Sequence, residues 1–154
     1  VMQLVEQGKL DLDADVNQYL DFEIPPRDGA PVTLRHILTH TSGLEETARA
    51  LIISDPAQLP TLEQSLKYWI PTRIFAPGTT PAYSNYATAL AGYIVERVSG
   101  LSFDDYIDQN LLQLAGMDTQ LAAAAFDLPP AAAGSAAAAD VQGLQVGQRR
   151  TAAL

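Results

Sequence analysis

A phenol and a carboxamide stand two residues apart in Tyr83-Ser84-Asn85, at the end of the loop Pro77-Gly78-Thr79-Thr80-Pro81-Ala82. Both groups donate and accept hydrogen bonds, and the phenol can also be titrated. In extended backbone the side chains alternate with period two, so Tyr83 and Asn85 can face one cleft while Ser84 turns away. The loop is stiff. Pro77 and Pro81 fix φ and remove backbone donors, and Gly78 can supply the positive φ a turn needs. Directly after it, Ala87, Leu90, Ala91, Ile94, Val95 and Val98 recur at helical spacing. Tyr83 and Asn85 are therefore expected at the mouth of a helix, on a loop held by a rigid scaffold, where chemistry tends to sit.

Other reactive side chains fit their motifs less well. His36 and His40 have the i, i+4 spacing of a zinc pair, but Ile37 stands where the zinc motif needs Glu and no third ligand is evident. A structural His40 that bonds local backbone is expected instead. Ser42 lacks the first glycine of a G-x-S-x-G elbow, because His40 occupies that place. His40 is also too near in sequence to reach Ser42 easily as a base, so Ser42-Gly43 is read as the end of a helix. Asp11, Asp13 and Asp15 suggest a calcium loop, yet the turn position holds Val16 and the bidentate Glu position holds Phe22. A solvated acidic turn is the better reading. There is no cysteine, which excludes disulfides, a thiolate nucleophile and a Cys-based metal site. No metal and no cofactor is expected.

Size and charge bound the remaining options. At 154 residues and 47% hydrophobic content, the chain suits one domain or a large part of one, with a sizeable core. A formal net charge of −9 argues against nucleic-acid partners and against an anionic lipid surface. No apolar run is long enough to span a bilayer. Val1-Met2-Gln3-Leu4-Val5 enters a helical pattern with no cap in front and does not look like a signal peptide. It reads as a helix whose beginning lies upstream, and hence the chain as a fragment.

The elements follow from caps and breakers. Val1 to Gln7 is the tail of an amphipathic helix, with Gly8 placed as its C′ residue. A short helical piece carries Val16, Tyr19 and Leu20, and Asp28-Gly29 marks a turn. Thr33 caps a helix bearing Leu34, Ile37 and Leu38. Glu45 to Ile53 is expected to be helical, broken by Ser54-Asp55-Pro56. Thr61 with Gln64 has the form of a capping box and opens a helix through Leu66, Trp69 and Ile70, stopped by Pro71. The helix after the central loop ends at Ser99-Gly100. Ser102 starts another, through Tyr106, Ile107 and Leu111. After Thr119 alanine dominates and few large apolar residues remain, so residues 120–154 read as a low-complexity tail behind a domain of residues 1–119.

Four blocks in one order resemble the serine β-lactamase and penicillin-binding-protein-like (β-lactamase-related) hydrolases. They are Val5-Glu6-Gln7-Gly8-Lys9-Leu10-Asp11-Leu12, then Leu34-Arg35-His36-Ile37-Leu38-Thr39-His40-Thr41-Ser42-Gly43-Leu44, then Pro77-Gly78-Thr79 with Tyr83-Ser84-Asn85, and Leu114-Ala115-Gly116-Met117-Asp118-Thr119. The resemblance covers residues 1–119. It implies an α+β fold of β-lactamase/transpeptidase type, an antiparallel sheet flanked by helices plus a helical subdomain, of which this chain holds mostly the helical part. It implies a serine acyl hydrolase, acting through an acyl-enzyme on a small ester, amide or D-peptide. Tyr83-Ser84-Asn85 is similar to the family's Y-x-N motif, which would make Tyr83 a catalytic acid/base and Asn85 a substrate-binding donor to the substrate carbonyl and a partner for a lysine. A free phenol has a pKa near 10 and needs an adjacent ammonium to act as a base at neutral pH. Family members are often exported or membrane-attached.

The departures from the family matter equally. The only lysines are Lys9 and Lys67, and no Ser has Lys three residues later. The family's S-x-x-K nucleophile would precede Val1, and no K-T-G or H-x-G follows Thr119. The chain as written is therefore expected to be inactive. A non-catalytic relative that binds a peptide or acyl ligand is the alternative, and a plain helical domain with Tyr83 buried for packing is a third reading.

Overall fold

Helices begin where the sequence supplies capping side chains. The computed structural model describes residues 1–47 and 58–117. Two compact units divide the chain, Val1–Gln109 and Asn110–Leu154. The first contains α1 (Met2–Glu6), a 3-10 turn (Val16–Gln18), α2 (Leu34–Leu38), α3 (Leu62–Tyr68), α4 (Asn85–Ser99) and α5 (Phe103–Ile107). A π-helical turn, Asp108–Leu112, follows α5. In the second unit, Met117 N–H closes a turn on the Leu112 carbonyl at 2.9 Å. Asp118, Thr119, the boundary expected there and the Ala-rich stretch 120–154 lie outside the described residues.

Each cap satisfies backbone donors that a helix start leaves unpaired. Thr61 Oγ1 accepts from Gln64 N–H at 3.2 Å, and Gln64 Oε1 accepts from Thr61 N–H at 3.0 Å. Thr33 Oγ1 accepts from His36 N–H, and the His36 ring nitrogen Nδ1 accepts from Thr33 N–H, both at 3.3 Å. The imidazole thus completes a capping box, a role usually taken by Glu or Gln. Ser102 caps α5 through Asp105 N–H at 3.1 Å. Gly100 ends α4 in the left-handed region.

Three expectations are corrected. The helix that starts at Thr33 stops at Leu38, with Thr39 as its C-cap, rather than at Ser42-Gly43. His40 follows with φ 56°, a left-handed turn made by a residue that rarely adopts it. Residues 45–47 are not helical: Glu45 N–H instead donates to the Thr72 carbonyl at 2.8 Å, so a long-range pairing overrides a local pattern. The rest of that expected helix, with its Ser54-Asp55-Pro56 breaker, lies outside the described residues. Finally, α3 ends at Tyr68, one residue before Trp69, which is extended.

The core is built around α4, which packs against α2, α3 and α5. Leu90, Ile94 and Val95 of α4 are fully buried, in one cluster with Leu4, Val16, Ile24, Val32, Leu34, Leu44 and Leu66. Burying one such side chain stabilises the fold by about 1.5–3 kcal/mol. Tyr86, also on α4, is buried and donates its hydroxyl to the Leu66 carbonyl at 3.0 Å, tying α4 to α3. Burial raises its phenol pKa.

Polar side chains brace the same core. Lys67 Nζ lies 2.7 Å from Asp21 Oδ2 and 2.6 Å from Glu63 Oε1, while Tyr93 donates to Asp21 Oδ1 at 3.0 Å. The acidic turn is spent on local bonds: Asp11 accepts from Asp13 N–H, Asp15 caps the 3-10 turn, and Asp13 forms a bidentate pair with Arg35 at 2.7 and 2.8 Å. Arg73 is buried, and its Nη1 donates to the carbonyls of Pro25 and Ala30 at 3.1 and 3.0 Å. Extended pairing among the described residues is limited to the isolated bridges Asp15 with Thr33, Arg27 with Ala30 and Leu44 with Arg73.

Candidate functional site

The loop before α4 is strapped to the segment that follows α2. Gly78 N–H donates to the Thr41 carbonyl at 2.8 Å, and Ala82 N–H to the His40 carbonyl at 2.7 Å. Ile74 N–H donates to the Gly43 carbonyl at 2.8 Å. These bonds make the two block sequences, His40-Thr41-Ser42-Gly43 and Pro77-Gly78-Thr79, one structural unit. Two glycines permit the contact. A β-carbon on Gly43 would stand 2.1 Å from the Phe75 carbonyl oxygen, and one on Gly78 would stand 3.3 Å from His36 Nε2; both residues have positive φ, 76° and 78°.

Ser84 is the pivot of the site. Its backbone is extended (φ −141°, ψ 118°), it is buried, and its hydroxyl caps α4 by accepting from Ala87 N–H at 3.3 Å. The same hydroxyl donates to the Glu45 carbonyl at 3.4 Å. With Ser84 turned inward, its neighbours face the other way. Tyr83 is 54% exposed, and its hydroxyl donates to Asn85 Oδ1 at 3.1 Å. The structure therefore brings the two sequence-chosen residues into direct contact, with the phenol open to solvent.

Two further side chains join them. The His40 ring lies against the Tyr83 ring, with centroids 5.1 Å apart and planes at 50°. The expectation that His40 bonds local backbone is corrected in its detail: among the described residues its ring supports the phenol, while its backbone carbonyl holds Ala82. Glu46 was not singled out by the sequence, yet its carboxylate takes the backbone N–H and one side-chain N–H of Asn85. Oε2 accepts the backbone N–H at 2.9 Å, and Oε1 accepts the side-chain amide at 3.2 Å. Oε1 also accepts from Thr47 N–H at 2.7 Å. Lost hydration works to raise the Glu46 pKa, but these N–H groups outweigh it and hold the carboxyl below its usual range. A carboxylate at the start of a 15-residue helix also meets the positive end of the helix dipole. Glu46 lies 39 positions from Asn85 in sequence, so no local pattern points to the pairing.

Among the described residues no cation-binding arrangement competes for these groups. His36 spends Nδ1 on its capping box, and no cluster of three or more His, Asp or Glu side chains suited to a metal exists among the described residues. The chemistry the site offers is proton exchange at a phenol and hydrogen bonding from an amide.

Comparison with known proteins gives the family and the fold. The family model described as Beta-lactamase matches residues 1–153. The esterase EstB of Burkholderia gladioli is 37% identical over 132 residues, covering 76% of this chain and 33% of that protein. The D-alanyl-D-alanine-carboxypeptidase/endopeptidase AmpH of Escherichia coli (strain K12) is 29% identical over 121 residues, covering 76% of this chain and 31% of that protein. Among solved structures, the octameric penicillin-binding protein homologue from Pyrococcus abyssi superposes with a TM-score of 0.64 at 33% identity, covering 76% of this chain and 28% of that one. The chain thus spans about a third of the length of the curated relatives it matches. Its fold is β-lactamase/transpeptidase-like, and among the described residues its regular structure is mostly helical with little strand.

Proposed function

The chain belongs to the Beta-lactamase family, and from that premise we propose that it carries the Y-x-N motif of a serine acyl hydrolase. Tyr83 is the catalytic acid/base and Asn85 the substrate-binding donor. The observation that carries this reading is the 3.1 Å bond from an exposed Tyr83 hydroxyl to Asn85 Oδ1, on a loop held at both ends. A buried phenol could not meet a substrate. The nucleophile is a serine in an S-x-x-K motif encoded before Val1, since none of the 154 residues supplies one.

In this mechanism the serine oxygen attacks the substrate carbonyl carbon, and its proton passes to the Tyr83 oxygen as the phenol proton moves on to the neutral amine of the motif's lysine. Asn85 donates one amide N–H toward the substrate carbonyl. The leaving alcohol or amine takes the proton from Tyr83, which recovers one from the lysine ammonium and leaves an acyl-enzyme with a neutral phenol. Water then repeats the sequence and releases the acid. The substrate is a small ester, amide or D-peptide, the range spanned by an esterase, a D-alanyl-D-alanine carboxypeptidase and a D-stereospecific amidohydrolase among the relatives.

The test is hydrolysis of a p-nitrophenyl ester by two proteins: the 154-residue chain, and the same chain extended upstream through its S-x-x-K segment. The extended protein is expected to turn over and the 154-residue chain to be silent. In the extended protein Tyr83→Phe should lower kcat by about 10²–10⁴-fold, the worth of one positioned proton transfer. A burst from the 154-residue chain would refute the placement of the nucleophile. Ligand binding without turnover by the extended protein would make the chain part of a binding relative instead.

A further inference from the structure

An asparagine amide can sit either way round, and the choice decides what it offers. Here the neighbours settle it. A carboxylate only accepts hydrogen bonds. Glu46 Oε1 lies 3.2 Å from the Asn85 amide and Oε2 lies 2.9 Å from the Asn85 backbone nitrogen. The edge of Asn85 turned to Glu46 must therefore be its NH2, and Oδ1 must face the other way, toward Tyr83. There it accepts the phenol hydroxyl at 3.1 Å.

We propose that Glu46 is a positioning residue that fixes the polarity of the Asn85 carboxamide. It keeps Oδ1 on the Tyr83 side and leaves the second N–H of the amide to donate to the substrate carbonyl. This rests on the reading of Tyr83 and Asn85 given above. Three features suit Glu46 to the task. Its carboxylate is bound at both oxygens, so it points one way. Its backbone neighbour Glu45 is pinned on both sides, by the Thr72 carbonyl at 2.8 Å and by the Ser84 hydroxyl at 3.4 Å. It also contacts the first residue of α4, so the orientation it sets is referred to the most deeply buried helix of the domain.

A glutamine at this position would keep the shape and lose the instruction. Its amide carries both an acceptor and a donor, so either orientation of Asn85 would find a partner. Glu46→Gln is therefore the diagnostic variant, and Glu46→Ala the complete removal. In the 154-residue chain, nuclear magnetic resonance of the Asn85 side-chain NH2 reads the orientation directly. Wild type should show one of the two protons shifted downfield by the carboxylate. Glu46→Gln should lose that shift, with the urea midpoint lowered only by the loss of a charge that the N–H groups and the helix dipole favour. Identical Asn85 amide signals in wild type and Glu46→Gln would overturn the proposal.

A second arm reads the consequence. In the extended protein that bears the nucleophile, Glu46→Gln should lower kcat about 10-fold, because a misdirected donor acts on the transition state, with KM changed less than about two-fold. A kcat within two-fold of wild type, in a protein where Tyr83→Phe is strongly impaired, also overturns it. If Tyr83→Phe is itself unimpaired, the hydrolase reading fails, and the resonance result still decides the role of Glu46.

Discussion

Gly43 and Phe75 touch so closely that no side chain fits between them. A β-carbon on Gly43 would lie 2.1 Å from the Phe75 carbonyl oxygen and 2.9 Å from its carbonyl carbon, and both obstacles are backbone. This contact sets the spacing between the segment after α2 and the loop that carries Tyr83. Gly43→Ala should destabilise the fold by about 3 kcal/mol, from the clash together with the positive φ. It should also shift the Tyr83 and His40 ring resonances. Chemical denaturation gives the first quantity and ring chemical shifts the second. A variant as stable as wild type, with unmoved rings, would show that the loop can retreat freely.

Ser84→Ala removes the cap of α4 without touching the side chains of Tyr83 and Asn85. The Ala87 N–H loses its acceptor and the Glu45 carbonyl loses its donor. Loss of such a cap costs about 1 kcal/mol. A matching fall in the urea midpoint is expected, with the Tyr83–Asn85 contact retained in the same sample. Ser84→Thr should recover part of the loss, since Thr also caps.

The imidazole of His36 gives the fold an acid-side weakness of a defined sign. Burial lowers its pKa below the usual 6.5, helped by the nearby Arg73 and Arg35 charges and opposed by Asp13. The folded chain therefore favours neutral His36, whose Nδ1 accepts from Thr33 N–H. That contribution is fully present above pH 6.5 and is lost as pH falls through the lowered folded pKa. His36→Gln keeps a capping-box acceptor and removes the titration. Between pH 6.5 and pH 5 the wild-type urea midpoint should drop more than that of His36→Gln, whereas parallel curves would assign the loss to carboxylates alone.

Local chemistry was readable in the sequence and long-range chemistry was not. Thr33, Thr61, Ser102 and Gly100 announce helix ends because their hydrogen bonds or dihedral angles involve only nearby residues. The contact between Tyr83 and Asn85 was legible for the same reason, since the extended Ser84 between them puts both on one side. Glu46 was hidden inside an apparently helical run, and only the pairing of Glu45 with Thr72 pulls it straight. His40 carries no mark of its left-handed backbone, because the bond that rewards it comes from Ala82, far along the chain. Arg73 carries no local signal of burial, because the carbonyls of Pro25 and Ala30 that accept from its Nη1 lie more than 40 positions away.

Ser84 faces inward between two residues that face outward, and the loop before it is anchored at Gly78 and Ala82. Removing or adding a single residue between Ala82 and Ser84 would exchange the two faces, driving the aromatic ring into the protein and turning the helix cap out to water. Descent with modification can therefore alter exposed side chains such as Pro81 more readily than the count of residues from Ala82 to Ser84. In that short interval chain length, more than residue identity, is what inheritance must preserve.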